Sequence, residues 1–148
     1  MRIGVPKEIK PQENRIGLTP DSVKTLVSEG HEVLVENNGG FEAGFDNDQY
    51  KNAGAKIIEK AADIFSDAEI IVKVKEPQKV EVEMIRENQI VYTYLHLAAA
   101  KELTEGLVKS KSINIAYETI TDDNGRLPLL APMSAVAGRM SVQAGAHC

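Results

Sequence analysis

Cysteine is almost absent from this sequence, and the one cysteine, Cys148, is also the last of its 148 residues. A single thiol cannot form a disulfide bond within the chain, and scarce cysteine is typical of a reducing compartment. Long hydrophobic runs are also missing, since no apolar stretch approaches the roughly 18 residues that a membrane-spanning helix requires. The opening MRIGVPKEIK lacks the apolar stretch of a signal peptide, so we expect a cytoplasmic protein.

The sequence is also short of positive charge and of the common motifs for catalysis and metal binding. Its net charge of −5 argues against nucleic acid or an anionic membrane as a partner, because both favour a basic surface. Three widely separated histidines and one cysteine give no zinc-binding spacing. There is no G-x-S-x-G elbow, no P-loop and no G-x-G-x-x-G fingerprint. The glycines at Gly39, Gly40 and Gly44 have the wrong spacing for that fingerprint, and we interpret them as a turn.

Short apolar strands alternate with helical patterns along the whole sequence. Strands are predicted over residues 2–6, 31–36, 55–59, 68–74, 89–95 and 113–120. Helices are predicted after Thr19, a suitable N-cap followed by Pro20, and over residues 48–53, 60–65, 80–87, 101–110 and 134–148. This alternation predicts right-handed βαβ units and an α/β fold, Rossmann-like or flavodoxin-like, whose mostly parallel sheet has helices on both faces.

The last helical pattern is unusual, because residues 134–148 are rich in alanine and glycine on several faces. Small residues allow a helix to pack closely against other elements, yet little sequence remains to pack against this one. We therefore expect the chain to be an N-terminal piece of a longer protein.

Two predicted strands end in side chains that carry charge or can transfer a proton. Lys73 and Lys75 lie at the end of the strand in IIVKVKEP, and His96 lies at the end of the strand in VYTYLHL. In open α/β sheets, ligands bind in a crevice beyond the carboxyl ends of the strands. Arg15 lies in the loop after the first strand, so we expect Arg15, Lys75 and His96 to meet at one crevice.

These three residues suit a small keto or amino acid as a ligand. An arginine binds a carboxylate through two parallel hydrogen bonds, a lysine adds a compact charge, and a histidine can exchange a proton near neutral pH. Each residue also has a purely structural interpretation, and Arg15 in particular could pair with Glu13. Only position favours Lys75 over Lys73. We interpret His31 as structural and give His147 no role.

Longer motifs resemble the family of the alanine dehydrogenases and the transhydrogenase alpha subunits. MRIGVPKEIKPQENRIGLTP and GHEVLVENNGG resemble the opening of the alanine dehydrogenases, and IVKVKEP, YLHLAA, IAYETI and LPLLAPMSAVAGRM follow in order. The NAD(P)-binding alpha subunits of the proton-translocating transhydrogenases share the opening motif. Their matching segments lack the lysine–glutamate pair and the histidine, so the sequence resembles the dehydrogenase branch.

The resemblance implies reversible oxidative deamination of L-alanine by NAD to pyruvate, ammonium and NADH, in a homohexamer that acts on small molecules. By this resemblance, Arg15 and Lys75 would bind the substrate and His96 would transfer protons. Ser134 would contact the nicotinamide cofactor. In this mechanism Arg15 holds the carboxylate and Lys75 polarises the developing carbonyl.

The resemblance also implies a domain organisation. Residues 1–128 would form a substrate-binding domain, and residues 129–148 would begin an interdomain helix that leads to an NAD-binding domain with a second catalytic acid. We expect the 148 residues alone to bind small acids weakly and not to turn them over. Two alternatives remain open, namely a transhydrogenase-like component that binds nucleotide and couples to a membrane partner, and a non-catalytic module that binds a 2-oxo acid.

Overall fold

Strands and helices alternate along the chain in the computed structural model, which describes residues 1–148. The strands are β1 (Arg2–Val5), β2 (Glu32–Glu36), β3 (Lys56–Ile58), β4 (Ile70–Val72), β5 (Ile90–Thr93) and β6 (Ile113–Ala116). The helices are α1 (Pro20–Ser28), α2 (Asn47–Asn52), α3 (Ala61–Asp67), α4 (Lys79–Val82), α5 (Lys101–Ser110) and α6 (Ala131–His147). The chain divides into two compact units, residues 1–115 and residues 116–148.

The six strands form one sheet in the order β3-β2-β1-β4-β5-β6. β1 lies at the centre and pairs in parallel with both β2 and β4, so that Ile3 lies beside Val33 on one side and Ile70 on the other. From β1 the chain first builds the sheet in one direction, through β2 and β3, and then returns to build it in the other. The boundary between β1 and β4 is therefore the point where the strand order reverses, which is where ligands bind in open α/β sheets.

The central strand carries helices on both faces of the sheet. Ile3 and Val5 pack in a buried cluster with Val23 of α1 and Tyr50 of α2. Gly4 points to the opposite face, where a Cβ atom would lie 2.5 Å from Cγ2 of Ile64 and 2.8 Å from the Cβ of Ala68, at α3. The predicted α/β fold, with a parallel sheet and helices on both faces, is confirmed.

The ends of several elements differ from the prediction. Helix α1 begins as predicted, with the Thr19 hydroxyl accepting the N–H of Ser22. Strand β4 ends at Val72, two residues early, because the N–H groups of Val74 and Lys75 bond to a glutamate side chain and not to a neighbouring strand.

Two further elements are shorter than predicted for local reasons. Helix α4 ends at Val82 because the next backbone bonds join residues three apart, as in a turn: the N–H of Ile85 bonds to the carbonyl of Val82. Strand β6 ends at Ala116, and Tyr117–Thr119 form a 3₁₀ turn in which the Thr119 hydroxyl donates to the Ala116 carbonyl.

The second unit, residues 116–148, consists of that 3₁₀ turn, a tight turn closed between Asp122 and Arg126, and helix α6. Every side chain of α6 is exposed in the structure. None of the helices in the structure combines the length and the apolar character needed to cross a membrane.

Substitution of Gly4 tests the packing of α3 on the central strand. Gly4→Ala places a methyl group against Ile64 and Ala68, so we expect a loss of about 1–3 kcal/mol in the free energy of unfolding. The measurement is urea unfolding of the 148-residue chain followed by circular dichroism. Gly138→Ala adds the same methyl group where nothing lies within 4 Å, and should not destabilise. Equal effects of the two substitutions would contradict the packing described here.

Candidate functional site

The candidate site lies at the carboxyl ends of β1, β4 and β5. Arg15 lies in the loop after β1, Lys75 in the segment after β4, and His96 just beyond β5. The loop after β1 crosses directly over the end of β4, where a Cβ atom at Gly17 would lie only 2.5 Å from the Val72 carbonyl oxygen. A glycine is therefore required at this crossing, and it brings the loop that carries Arg15 to the segment that carries Lys75.

Arg15 is held by Glu13, two residues earlier in the same loop. One oxygen of the Glu13 carboxylate accepts hydrogen bonds from Nε of Arg15 at 2.8 Å and from the backbone N–H of Arg15 at 2.9 Å. The other oxygen accepts a hydrogen bond from Nη2 of Arg15 at 2.6 Å. The carboxylate side chain is only 7% exposed, whereas the Arg15 side chain is 50% exposed. The pairing of Arg15 with Glu13, which the sequence left open, is therefore present. It orients the Arg15 guanidinium, which remains accessible to solvent.

The same pair sets the charge of the site. The hydrogen bond from Arg15 lowers the pKa of Glu13 to about 2, and the nearby Lys75 ammonium contributes to the same effect. The hydrogen bond and charge of Glu13 in turn raise the pKa of Arg15 above its ordinary value. Both groups are therefore ionised throughout the neutral range.

Tyr94 connects the arginine to the histidine. Its phenol lies close enough to Arg15 to act on the guanidinium electrostatically, and its ring lies edge-on to the His96 ring with 6.4 Å between centroids. The backbone of Tyr94 also donates to the carbonyl of Val74, next to Lys75. Arg15, Lys75 and His96 are thus brought to one region through shared neighbours, as the topology predicts.

His96 has an unusual backbone conformation for a histidine. Its φ of 53° lies in the left-handed region, and its side chain is exposed. Residues other than glycine seldom adopt this conformation, and those that do are concentrated at functional sites. The turn at the end of β5 therefore carries an exposed imidazole.

Glu76 provides a carboxylate near the histidine. Burial acts to raise its pKa, but the hydrogen bond from Lys10 and the charges of Lys10 and His96 together bring the pKa below its usual value. The Lys10–Glu76 ion pair also joins the loop after β1 to the segment after β4, a second connection across the point where the strand order reverses.

Lys73, the alternative to Lys75, is unavailable to a ligand. Its side chain is fully buried, and Nζ lies 3.1 Å from Oε2 of Glu8 and 2.7 Å from Oε1 of Glu81. Lys75 is only partly buried. Of the two lysines at the end of β4, only Lys75 can contact a small molecule.

The remaining candidate residues lie elsewhere in the chain. Ser134 is an exposed residue of α6 in the second unit, and its N–H bonds to the Leu130 carbonyl. His31 precedes β2 at the opposite end of the sheet, where its Nδ1 lies 3.3 Å from the N-terminal amine. His147 is in the last turn of α6.

Sequence reasoning missed Tyr94 and Glu76, which neighbour the candidate site residues, and the two buried partners of Lys73, which are Glu8 and Glu81. One signal was present, because a lysine between two valines in a buried strand requires a buried counter-charge. That signal predicts a partner for Lys73 but not which one, since Glu8 lies 65 residues away.

The chemistry of this region suits a small carboxylic acid more than a dinucleotide or a metal ion. No group of three or more His, Cys, Asp or Glu side chains could hold a metal ion. A depression of about 430 Å³ adjoins Arg15, and its charged lining is balanced between three acidic residues, Glu8, Glu13 and Glu42, and three basic ones, Lys7, Lys10 and Arg15. A lining without excess positive charge, and a connection between β1 and α1 without a glycine fingerprint, do not fit the pyrophosphate of NAD.

The Glu13–Arg15 pair predicts how the free energy of unfolding depends on pH in acid. The pKa of Glu13 is lower in the folded state, so its contribution to stability is complete above pH 4.5 and is lost as the pH falls towards 2. We expect Glu13→Gln to make the free energy of unfolding fall less steeply between pH 4.5 and 2 than in the unchanged chain. Urea unfolding at several pH values measures this slope.

The matched control is Glu42→Gln, which changes an exposed glutamate near the same depression. It should keep the slope of the unchanged chain. Parallel pH profiles for Glu13→Gln and the unchanged chain would show that the ion pair does not act as described.

Comparison with known proteins agrees with this geometry. Residues 4–137 match the family described as alanine dehydrogenase/PNT, N-terminal domain. The alanine dehydrogenase of Staphylococcus epidermidis is 52% identical over 147 residues, which cover 99% of this chain and 39% of that protein. The chain therefore spans about two fifths of the length of such relatives.

Two solved structures show the same fold. A structure of L-alanine dehydrogenase has a TM-score of 0.93 and 52% identity, and the match covers 99% of this chain and 40% of that one. A transhydrogenase from Sinorhizobium meliloti has a TM-score of 0.76 and 28% identity, and the match covers 81% of this chain and 36% of that one. Since the family match extends over most of the residues and the dehydrogenase match over nearly all of them, this chain belongs to the alanine dehydrogenase/PNT N-terminal domain family.

Proposed function

We propose that this protein is an L-alanine dehydrogenase, which catalyses the reversible NAD-dependent oxidative deamination of L-alanine to pyruvate and ammonium. The observation that carries the proposal is the arrangement at the carboxyl ends of β1, β4 and β5. There an arginine oriented by Glu13 shares neighbours with Lys75 and with an exposed histidine in a left-handed turn. The family membership supports the same reaction.

Substrate binding is assigned to Arg15 and Lys75. The half-exposed guanidinium of Arg15 attracts the substrate carboxylate, and its attachment to Glu13 limits the conformations that must be lost on binding. Lys75 adds a compact positive charge beside this pair, where it polarises the carbonyl oxygen of pyruvate or of the intermediate that leads to it.

Proton transfer is assigned to His96. Its imidazole lies close enough to the Glu76 carboxylate for the two groups to interact electrostatically. In the deamination direction His96 takes a proton from the attacking water, and in the amination direction it returns one. Hydride acceptance from the substrate α-carbon is the chemistry that NAD supplies when bound.

The depression beside Arg15 has no excess positive charge and no glycine fingerprint for a pyrophosphate, so we propose that the dinucleotide is held by residues outside the unit of residues 1–115. Ser134 in α6 is the residue of this chain that we assign to a contact with the nicotinamide. We further propose that residues 1–128 form the substrate domain and that residues 129–148 lead into the domain that binds NAD. The active form in this proposal is a cytoplasmic homohexamer.

Turnover by the protein in its full natural length tests this function. We expect NADH formation from L-alanine and NAD, and a fall in kcat of roughly 10²–10⁴-fold in His96→Asn, since that is the usual contribution of a positioned acid–base group. Asparagine tolerates the left-handed backbone of residue 96, so the substitution removes the imidazole and keeps the turn. The assay follows NADH absorbance.

His31→Asn is the control, because His31 lies at the other end of the sheet, and it should leave kcat within about twofold. Full-length protein that does not oxidise L-alanine but transfers hydride between nucleotides would favour the transhydrogenase alternative. Binding of 2-oxo acids without any redox activity would favour the binding module.

A further inference from the structure

Three charged side chains, Lys73, Glu8 and Glu81, form a buried cluster that the proposed mechanism does not use. The side chain of Lys73 is 0% exposed, and those of Glu8 and Glu81 are each 2% exposed. Taking charges out of water costs free energy, and buried ion pairs can often be replaced by uncharged residues without loss of stability. Stability alone is therefore a weak reason for three buried charges at this place.

Glu8 connects this cluster directly to the backbone of Lys75. Its Oε2 atom lies 3.1 Å from Nζ of Lys73. Its Oε1 atom accepts the N–H of Val74 at 2.7 Å and the N–H of Lys75 at 3.3 Å. These are the N–H groups that would otherwise extend β4, so Glu8 ends the strand and sets the path of the chain at Lys75.

The position of Glu8 in the fold matters for the site. It lies in the loop after β1, seven residues before Arg15, while Lys73 and Lys75 follow β4. One carboxylate therefore joins the loop that carries Arg15 to the segment that carries Lys75. It does so at the boundary between β1 and β4, where the strand order reverses.

We propose that Glu8 is a positioning residue for substrate binding, which holds the backbone of Lys75 at a fixed distance from the Arg15 loop while Lys73 holds Glu8. This inference rests on the proposed function, because it assigns to Glu8 the placement of a substrate-binding lysine. Glu8 acts through Lys75 and does not touch the substrate.

Glu81 also pairs with the Lys73 ammonium, but it does not position the backbone of Lys75. Its Oε1 lies 2.7 Å from Nζ of Lys73, and its Oε2 accepts the N–H of Gln78 at 2.7 Å. Gln78 is the N-cap of α4 and lies three residues beyond Lys75. Glu8 and Glu81 thus form a matched pair, since each provides one carboxylate to the same ammonium.

Glutamine cannot replace Glu8 without a loss. The carboxylate accepts hydrogen bonds on both oxygens at once, towards Lys73 on one side and towards the Val74 and Lys75 N–H groups on the other. An amide has one acceptor oxygen, and its NH₂ group only donates. In Glu8→Gln the NH₂ group cannot face the Lys73 ammonium, so the amide oxygen turns to Lys73, and the N–H groups of Val74 and Lys75 lose their acceptor.

The first experiment compares Glu8→Gln with Glu81→Gln in the protein in its full natural length. We expect Glu8→Gln to raise the KM for pyruvate and for L-alanine about tenfold, which corresponds to about 1.4 kcal/mol, with kcat changed less than about threefold. Glu81 is buried and bonds to Lys73 and the Gln78 N–H but not to the backbone of Lys75, so we expect Glu81→Gln to leave both KM values within about twofold. Equal KM values for the two variants, or an unchanged KM in Glu8→Gln, would overturn the proposal.

A second pair of variants covers the case in which Glu8→Gln does not fold. In a Lys73→Met/Glu81→Gln background the ammonium is gone, so a glutamine at position 8 can turn its oxygen to the Val74 and Lys75 N–H groups. Adding Glu8→Gln should then keep KM within about threefold of the unchanged protein, whereas adding Glu8→Met should raise it about tenfold. Similar KM values for these two triple variants would overturn the proposal.

The proposed function and this inference fail in different ways. If the unchanged protein does not oxidise L-alanine, the proposed function is wrong. The positioning role is then measured from the backbone amide resonance of Lys75, which should move in Glu8→Gln and stay in place in Glu81→Gln. Equal movement in both variants would overturn the positioning role whatever the protein catalyses.

Discussion

The contact between Glu8 and the end of β4 is the interaction on which the arrangement of the site depends. A parallel sheet brings the carboxyl ends of its strands to one edge, but it does not fix the loops that follow them. Glu8 fixes two of these loops relative to each other, because one of its oxygens binds Lys73 and the other binds the backbone at Val74. The Lys10–Glu76 pair adds a second connection between the same loops.

Two cationic side chains at this edge of the sheet are paired with carboxylates. Arg15 is matched by Glu13, and Lys73 lies between two carboxylates. Such pairing keeps the arginine oriented and ionised without building a strongly positive surface, in keeping with the overall charge of −5. The site can therefore attract a small monocarboxylate through Arg15 and Lys75 without the excess of positive charge that suits the pyrophosphate of a nucleotide.

The number of strands and their alternation with helices could be predicted from the sequence, whereas the loops that form the site could not. Apolar runs separated by helical patterns were sufficient to predict six strands. Thr19 followed by Pro20 was sufficient to predict the start of α1. The pairing of Glu13 with Arg15 was within reach because the two residues are neighbours in one loop.

The end of β4 was predicted wrongly for a physical reason. Residues 68–74 read as one apolar strand, but the strand stops at Val72 because the next free N–H groups bond to Glu8, 66 residues away from Val74. A contact over that distance leaves no trace in a local pattern. The same limit applies to Tyr94, whose place between Arg15 and His96 depends on the packing of β5 beside β4.

The central claim is that this chain carries the substrate-binding half of an amino-acid dehydrogenase. The most direct measurement is a crystal structure of the protein in its full natural length, soaked with pyruvate. The account predicts pyruvate at the carboxyl ends of β1, β4 and β5, with its carboxylate on Arg15, its carbonyl oxygen towards Lys75, and His96 beside it. Pyruvate bound away from these three residues, with the three side chains unchanged from the unsoaked crystal, would contradict the account.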